Sequence, residues 1–424
     1  MVKDGKKTAV PKLRFPEFRN AGSWDQRTLS ELLREQKQRN RDLKFGPGEV
    51  LSVSGDHGCV NQIELLGRSY AGVSVKEYHV VETGDLVYTK SPLKKNPYGI
   101  IKENKGKPGI VSTLYAVYRV TELGHPAYLD HYFSRDYNLN SYLQPIVRKG
   151  AKNDMKVNNA AVLTGEVLAP QMAEQKKIAN CLTSLDELIT AQGRKIEALK
   201  IYKRGLMQQL FPRKGATVPR LRLPEFRNAP EWIEAPLGDL FDTSSGGTPE
   251  RTKQEYWNGN IPWVTTSLVD FNFITKADEF ISEAGLDNSS AKIFPKGTVL
   301  IAMYGQGITR GKVAMLSIPS ATNQACAAII PNNKIEPCFT FVSLCGRYEE
   351  MRNLSNSGGQ ENLSQTLLRA LPFRYPKDEG EQKRIVEFFS DIDVLTAGEV
   401  AKLDALKMYK EGLMQQLFPS PEEV

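Results

Sequence analysis

The residues of this chain with the clearest chemistry are basic and polar side chains gathered in loop-rich stretches. Lys90, Lys94, Lys95, Lys102, Lys105 and Lys107 crowd one such stretch, and Arg148, Lys149 and Lys152 follow in another. Ser54 lies in the VLSVSG run of the same half, and His57 follows just after it. In the second half Thr248, Arg251 and Lys253 come directly after Gly246-Gly247, and Thr265, Thr266 and Ser267 follow. Gln306, Arg310 and Lys312 lie in a glycine-rich stretch, and Gln360 in the run GGQENLS. Lysine ammonium groups suit phosphates and fix the position of a polyanion. Arg, Gln, Asn, Ser and Thr can reach base edges in a major groove. For any single lysine a solvated surface charge is the simpler account; the clusters, as groups, point to a nucleic acid. The formal net charge of +7 permits such a partner without requiring it.

Catalytic signatures are missing where they would be expected. Lys95-Asn96-Pro97-Tyr98 approaches the loop with which adenine methyltransferases hold a flipped base, but lacks its second proline, and a plain turn fits better. Gly305 to Val313, GQGITRGKV, has the wrong spacing for a phosphate loop, and Val313 stands where Ser or Thr is needed. The five cysteines include no C-x-x-C pair, so free thiols in a cytoplasmic protein are expected. All four histidines fall in the first half, away from most cysteines, and make no zinc pattern. The N-terminus carries no apolar signal core, and no apolar run is long enough to span a bilayer. The chain reads as non-catalytic, with no metal site and no membrane partner.

What positions the basic stretches is a frame that the chain states twice. Glu174 to Pro212 reads EQKKIANCLTSLDELITAQGRKIEALKIYKRGLMQQLFP, and Glu381 to Pro419 reads EQKRIVEFFSDIDVLTAGEVAKLDALKMYKEGLMQQLFP, an offset of 207 without a gap. Pro11 to Trp24, PKLRFPEFRNAGSW, returns as Pro219 to Trp232, PRLRLPEFRNAPEW. In the first long copy Ile178, Leu182, Leu185, Ile189, Ile196, Leu199, Leu206 and Leu210 follow alternating steps of three and four, with Gln192 and Lys203 completing the seam. Ile385, Phe389, Ile392, Leu403, Leu406, Leu413 and Leu417 stand at the matching places of the second, with Thr396, Glu399 and Lys410 completing its seam. This heptad pattern predicts two long helices ending at Pro212 and Pro419. So narrow a seam wants one partner, and an antiparallel coiled coil of the two copies is expected. Because Pro212 feeds Pro219 as Pro419 would feed Pro11, the chain should be quasi-circular and pseudo-two-fold, with its termini close.

Between the repeats lie two variable regions. VLSVSG, GDLVYTK and STLYAVYRV in the first, and IPWVTT, GTVLIAMYG and ACAAIIP in the second, read as short strands between turns. An α/β or α+β domain built on a curved sheet is expected for each. Gly84-Asp85-Leu86-Val87 matches Gly297-Thr298-Val299-Leu300, so the two regions share a skeleton. The division is an N-terminal arm over 1–22, a first domain over 23–170, a helix over 171–212, a linker over 213–230, a second domain over 231–378 and a second helix over 379–419.

The ordered, duplicated set of PEFRN…W, Gly-Asp-Leu and Gly-Thr-Val, GGQENLS and EQKxI resembles the specificity subunits of type I restriction-modification systems, over Pro11 to Pro419. In the first domain GAKNDM departs from the G-x-x-x-N-L form usual in that family. The resemblance implies two target-recognition domains, each reading half of a bipartite site in double-stranded DNA, with the helices as spacer. It also implies two methyltransferase subunits, which bring S-adenosylmethionine, and restriction subunits, which bring ATP and Mg; this chain would bind none of these itself. The alternative is a coiled-coil scaffold whose domains bind other proteins. A methyltransferase in its own right is disfavoured by the missing motifs.

Overall fold

The computed structural model describes residues 8–55, 57–149, 155–304, 308–354 and 363–419. The chain forms two compact units. One takes in the described residues of Met1–Gly193 and Ala401–Val424, the other those of Arg194–Val400. Each unit therefore combines one variable region with a segment of both long helices, Met172–Leu210 and Glu379–Leu417.

In the first unit a sheet ordered Leu33–Gln36, Tyr115–Val120, Leu86–Thr89, Ile100–Glu103 is antiparallel throughout. Its inner strand Leu86–Thr89 is buried at every residue, as expected of a continuous apolar run covered on both faces. The helices Pro126–Phe133 and Asp136–Leu143 follow, and Pro126–Phe133 packs against Ile100–Glu103. Trp24, Tyr118, Tyr128 and Phe133 form one core with Ile178 and Leu182 of the first long helix and Leu417 and Phe418 at the end of the second.

In the second unit a five-stranded sheet runs Thr243–Ser245, Cys326–Ile329, Val299–Ala302, Val313–Leu316, Asn272–Ile274. A four-stranded sheet adds Glu279–Ile281, Trp257–Val264, Ser320–Thr322 and Ile293–Phe294. Trp232, Phe339 and Phe373 share a core with Leu206 and Leu210 of the first helix and Ile385 and Phe389 of the second. Every quoted β-type run of the sequence contains a strand here, and the common skeleton is visible at the glycines. Gly84 and Gly297 adopt φ of 86° and 87°, turning the chain into Leu86–Thr89 and Val299–Ala302.

The heptad seam holds. All ten seam positions of each helix, from Ile178 to Leu210 and from Ile385 to Leu417, are buried or half-buried. In the second unit Lys195 pairs with Glu399 at 2.5 Å and Lys203 with Asp393 at 2.6 Å. As one helix advances the other retreats, so the two segments are antiparallel within this unit. In the first unit Asp186 pairs with Lys410 at 2.5 Å. The offset of 207 carries Asp186 onto Asp393 and Lys203 onto Lys410. The polar seam lysines thus make one interaction twice.

The short repeat and the EQK motif lock together in the same way. The Arg14 guanidinium forks onto Glu174 at 2.7 Å, and Arg222 onto Glu381 at 2.7 and 2.8 Å, all four side chains being buried. The Gln175 amide donates to the Pro170 carbonyl and accepts from the His125 amide; Gln382 treats Pro376 and Glu336 alike. Leu13 N donates to Gln416 O, and Leu221 N to Gln209 O, each at 3.0 Å. These buried polar groups are fully spent on the frame, which accounts for their recurrence in both copies.

Candidate nucleic-acid interface

On the first unit the hairpin Leu51–Ser54 to Gly58–Asn61 carries Ser54 and an exposed His57, whose backbone amide donates to Ser54 Oγ at 3.3 Å. Lys94 and Lys95 are exposed on the loop after Leu86–Thr89. That loop is braced beneath them: Asn96 donates to Asp136 at 2.8 Å, and Asn140 to the Lys95 carbonyl at 3.1 Å. The Lys95-Asn96-Pro97-Tyr98 stretch is therefore a turn whose asparagine is spent on structure. Lys90, at the root of the loop, is half-buried; burial lowers its pKa, with Glu35 opposing and Arg39 adding to the effect.

The other lysines of that cluster turn to the protein itself. Lys102 donates to Ser134 Oγ at 2.7 Å and Lys105 pairs with Asp130 at 2.8 Å, while Lys107 is exposed. Lys102 and Lys105 line a cleft of about 440 Å³ with His57, Asp130, His131 and Lys410. Burial outweighs charge at two groups there. It pushes Glu103 up to about 7, reinforced by Asp130, and depresses His131 although Asp130 opposes it. Nothing in the sequence pattern marked Glu103, Asp130 or His131. Arg148 is exposed on a two-residue strand; Lys152 and the side chain of Lys149 lie outside the described residues.

On the second unit Thr248 hydrogen-bonds Gln324, and Gly247 N donates to Thr322 O at 2.8 Å. An added Cβ at Gly246 would meet Thr322 O at 2.0 Å, so the glycines allow this close approach. Thr265 and Ser267 hydroxyls share a 2.6 Å bond, and half-buried Thr266 opens the turn between them. Arg251 is ion-paired with Glu279, and its guanidinium lies 3.9 Å from the Trp257 ring centroid and 4.8 Å from that of Trp263. Lys253 donates to the Tyr256 hydroxyl at 3.2 Å.

Two basic residues expected to face outward are engaged inside the domain. Arg310 is 9% exposed and donates to the Arg352 carbonyl at 3.0 Å. Lys312 pairs with Asp270 at 2.7 Å, its side chain 15% exposed. Gln306 and Gln360 lie outside the described residues. The structure thus gathers Lys94 with Lys95 on one loop and Thr248 with Arg251 on another. Lys102, Lys105, Arg251, Arg310 and Lys312 already hold intramolecular partners.

One surface feature was not legible as such. Leu188 and Leu395, Ile201 and Met408, and Tyr202 and Tyr409 are equivalent across the repeat, and all six are half or more exposed, from 50% at Leu395 to 73% at Met408. They stand off the seam, beside it. Among the described residues no His, Cys, Asp or Glu cluster could hold a metal, and no helix is long and apolar enough to cross a membrane.

Comparison with known proteins agrees with this frame. The family model of the type I restriction modification DNA specificity domain matches residues 230–408. The specificity subunit of the type I restriction enzyme MjaIX from Methanocaldococcus jannaschii is 26% identical over 189 residues, 42% of this chain and 43% of that one. The EcoR124I/EcoR124II specificity subunit from Escherichia coli is 27% identical over 163 residues, 38% and 40% of the two chains. The chain thus spans about two-fifths of the length of these relatives. Among solved structures, a chain from a study of assembly and conformational transition in a type I restriction-modification system superposes with a TM-score of 0.60 at 16% identity, covering 94% of this chain and 98% of that one. The type I S subunit of M. genitalium gives 0.54 at 16%, covering 97% and 99%. At such identity the likeness speaks to the mixed α/β fold. The resemblance read from the repeated frame therefore holds: the chain is similar to type I restriction-modification specificity subunits.

Proposed function

We propose that this chain, being similar to type I specificity subunits, is the DNA-reading subunit of a type I restriction-modification complex, each variable domain reading one half of a bipartite target. One observation carries the reading. The frame contacts of Arg14, Glu174 and Gln175 recur at Arg222, Glu381 and Gln382, while the regions they bracket differ in sequence and in sheet order. A frame kept constant around two divergent inserts is what two independent readers need.

In this reading the antiparallel helices are a spacer that fixes the interval between the half-sites. The exposed twins Leu188/Leu395, Ile201/Met408 and Tyr202/Tyr409 are docking points for two copies of one partner, the methyltransferase subunit. A repeated apolar surface suits a repeated ligand, and exposed patches of this kind mark protein contacts. The chain itself contributes no chemical step. S-adenosylmethionine belongs to the methyltransferase subunits, and ATP and Mg to the restriction subunits. Lys94, Lys95 and Arg148, which are exposed, supply phosphate contacts that hold the duplex.

Exchange of Glu231 to Pro376 for the matching region of a homologue, followed by genome-wide mapping of methylated adenines, tests the reading. One half of the methylated motif should change and the other persist. Loss of both halves in a folded, assembled hybrid would refute independent readers. Binding should also weaken steeply as salt rises, whereas a protein scaffold would show no such slope.

A further inference from the structure

Phe271 stands in the left-handed region at φ 52°, where bulky side chains are rare outliers. Such strain persists only where the surroundings over-determine it, and it gathers at functional sites. The surroundings here do so. Phe271 N donates to Val313 O at 2.7 Å, Asp270 N to the Asn272 side chain at 3.0 Å, and Asp270 itself holds Lys312. A glycine or asparagine would satisfy this backbone without cost. A phenylalanine does not follow from folding alone, because the residue is 41% exposed.

The ring is nevertheless held in place. It meets Tyr348 edge to face, centroids 5.2 Å apart and planes at 85°. The Tyr348 hydroxyl donates to Ile308 O at 2.5 Å and accepts from Arg352 Nη1 at 3.0 Å. In this geometry Tyr348 leaves at least one face of Phe271 uncovered. Phe273, two residues on, is 49% exposed, and Ile308 64%. Phe271 thus presents a braced aromatic face beside Tyr348 and Arg352, while Lys312 is spent on Asp270.

We propose that Phe271 is the wedge of the second variable domain. Its ring stacks against a base step of the duplex, which it partly unstacks, while Arg352, beside Tyr348, favours a flanking phosphate. The proposal rests on the DNA-reading function above and adds how one half-site is discriminated. A wedge selects steps that unstack cheaply, so the second half-site should contain a pyrimidine–purine step at the point of insertion. The flat uncovered face and adjacent Arg352 favour a base over an apolar protein anchor as the occupant.

The test is selection from a random-sequence duplex library by the full chain, wild type and Phe271→Ala, →Trp and →Gly. Wild type should enrich a bipartite motif. Phe271→Ala should bind that duplex at least about tenfold more weakly and lose preference at one step of one half-site only. Phe271→Trp should retain both, and Phe271→Gly should bind as poorly as the alanine variant while melting no lower. Independently of any variant, 2-aminopurine at the selected step should brighten when wild type binds. Unchanged affinity and motif in Phe271→Ala, or 2-aminopurine that stays quenched, overturns the wedge. Failure of wild type to enrich any motif would instead sink the DNA-reading function on which it rests.

Discussion

Leu13, near the start of the chain, donates its backbone amide to the carbonyl of Gln416, near its end, at 3.0 Å. The same bond joins Leu221 to Gln209 in mid-chain at the same length. The first closes between chain ends what the second closes within a continuous segment. The short repeat therefore grips the end of the long helix in the same way in both units, and several consequences can be measured.

A circular permutant with new ends between Lys214 and Val218, and Pro419 joined to Pro11 by a short linker, should fold and recognise the same DNA. Its melting temperature and selected motif are the readouts. A permutant that fails to fold would show that the mid-chain link is more than a copy of the terminal one.

Breaking the Arg222–Glu381 pair leaves a buried carboxylate uncompensated, since both partners are under a tenth exposed. Arg222→Met should cost about 3–5 kcal/mol in urea unfolding. Arg222→Lys, which keeps the charge and loses the fork, should fall between. Arg14→Met should do the same in the first unit. A cost below about 1 kcal/mol, typical of a solvated pair, would contradict the buried geometry.

Insertion of four residues after Leu199 and four after Ala397 lengthens both helices by about 6 Å. At about 3.4 Å per base pair, the non-specific spacer of the target should grow by one or two base pairs while both half-sites stay the same. Methylation mapping reads this directly. An active complex with the original spacing would show that the helices do not set the interval.

Under the proposed docking of two methyltransferase subunits, Tyr202→Glu and Tyr409→Glu should each remove one, and together both, without altering unfolding of the chain. Native mass spectrometry counts the copies. Full stoichiometry in the double variant would move the docking surface elsewhere.

Acid should destabilise the first unit. Burial, aided by Arg39 and Lys90, depresses His79 to about 4, and His131 is depressed chiefly by burial. Both are neutral in the fold, whereas the unfolded chain protonates them below about 6.5. Their contribution is full above that pH and is lost as pH falls towards 4. For His79 it is on the order of 1–3 kcal/mol. Glu103, raised to about 7, acts oppositely: its share is greatest below its ordinary pKa and declines as pH rises through 7. Thermal melts from pH 4 to 8 should flatten at the acid end in His131→Leu and at the neutral end in Glu103→Gln. An unchanged profile in both would mean that neither group titrates differently on folding.

The frame was legible because its determinants are local and stated twice. Seam periodicity located the helices, and Lys203 and Lys410 stood out as polar breaks. What the seam could not reveal was their carboxylate partners, because Asp186 and Asp393 lie off it and meet the lysines only through antiparallel packing. Arg14 and Glu174 were visible as repeated letters but not as a pair, since nothing local joins them. The candidate site was legible only as composition. Arg251, Arg310 and Lys312 looked like free cations, and tertiary structure gave each a partner: Glu279 with two indoles, the Arg352 carbonyl and Asp270. The strain at Phe271 had no local cue, because it is imposed by Val313 and by contacts of its neighbours.

The octapeptide Gly205–Pro212 is identical to Gly412–Pro419, and in each unit it ends the helix that the short repeat grips through Leu221 or Leu13. A genetic crossover within the two stretches would therefore stay in frame and leave every gripping contact intact at the junction. Deletion or duplication of a whole 207-residue block would then be a single inheritable event, yielding descendants with one reader or three rather than broken proteins. Under the proposed function, the same register would let foreign readers enter by recombination at the frame, so the lineage could acquire new targets without relearning how to fold.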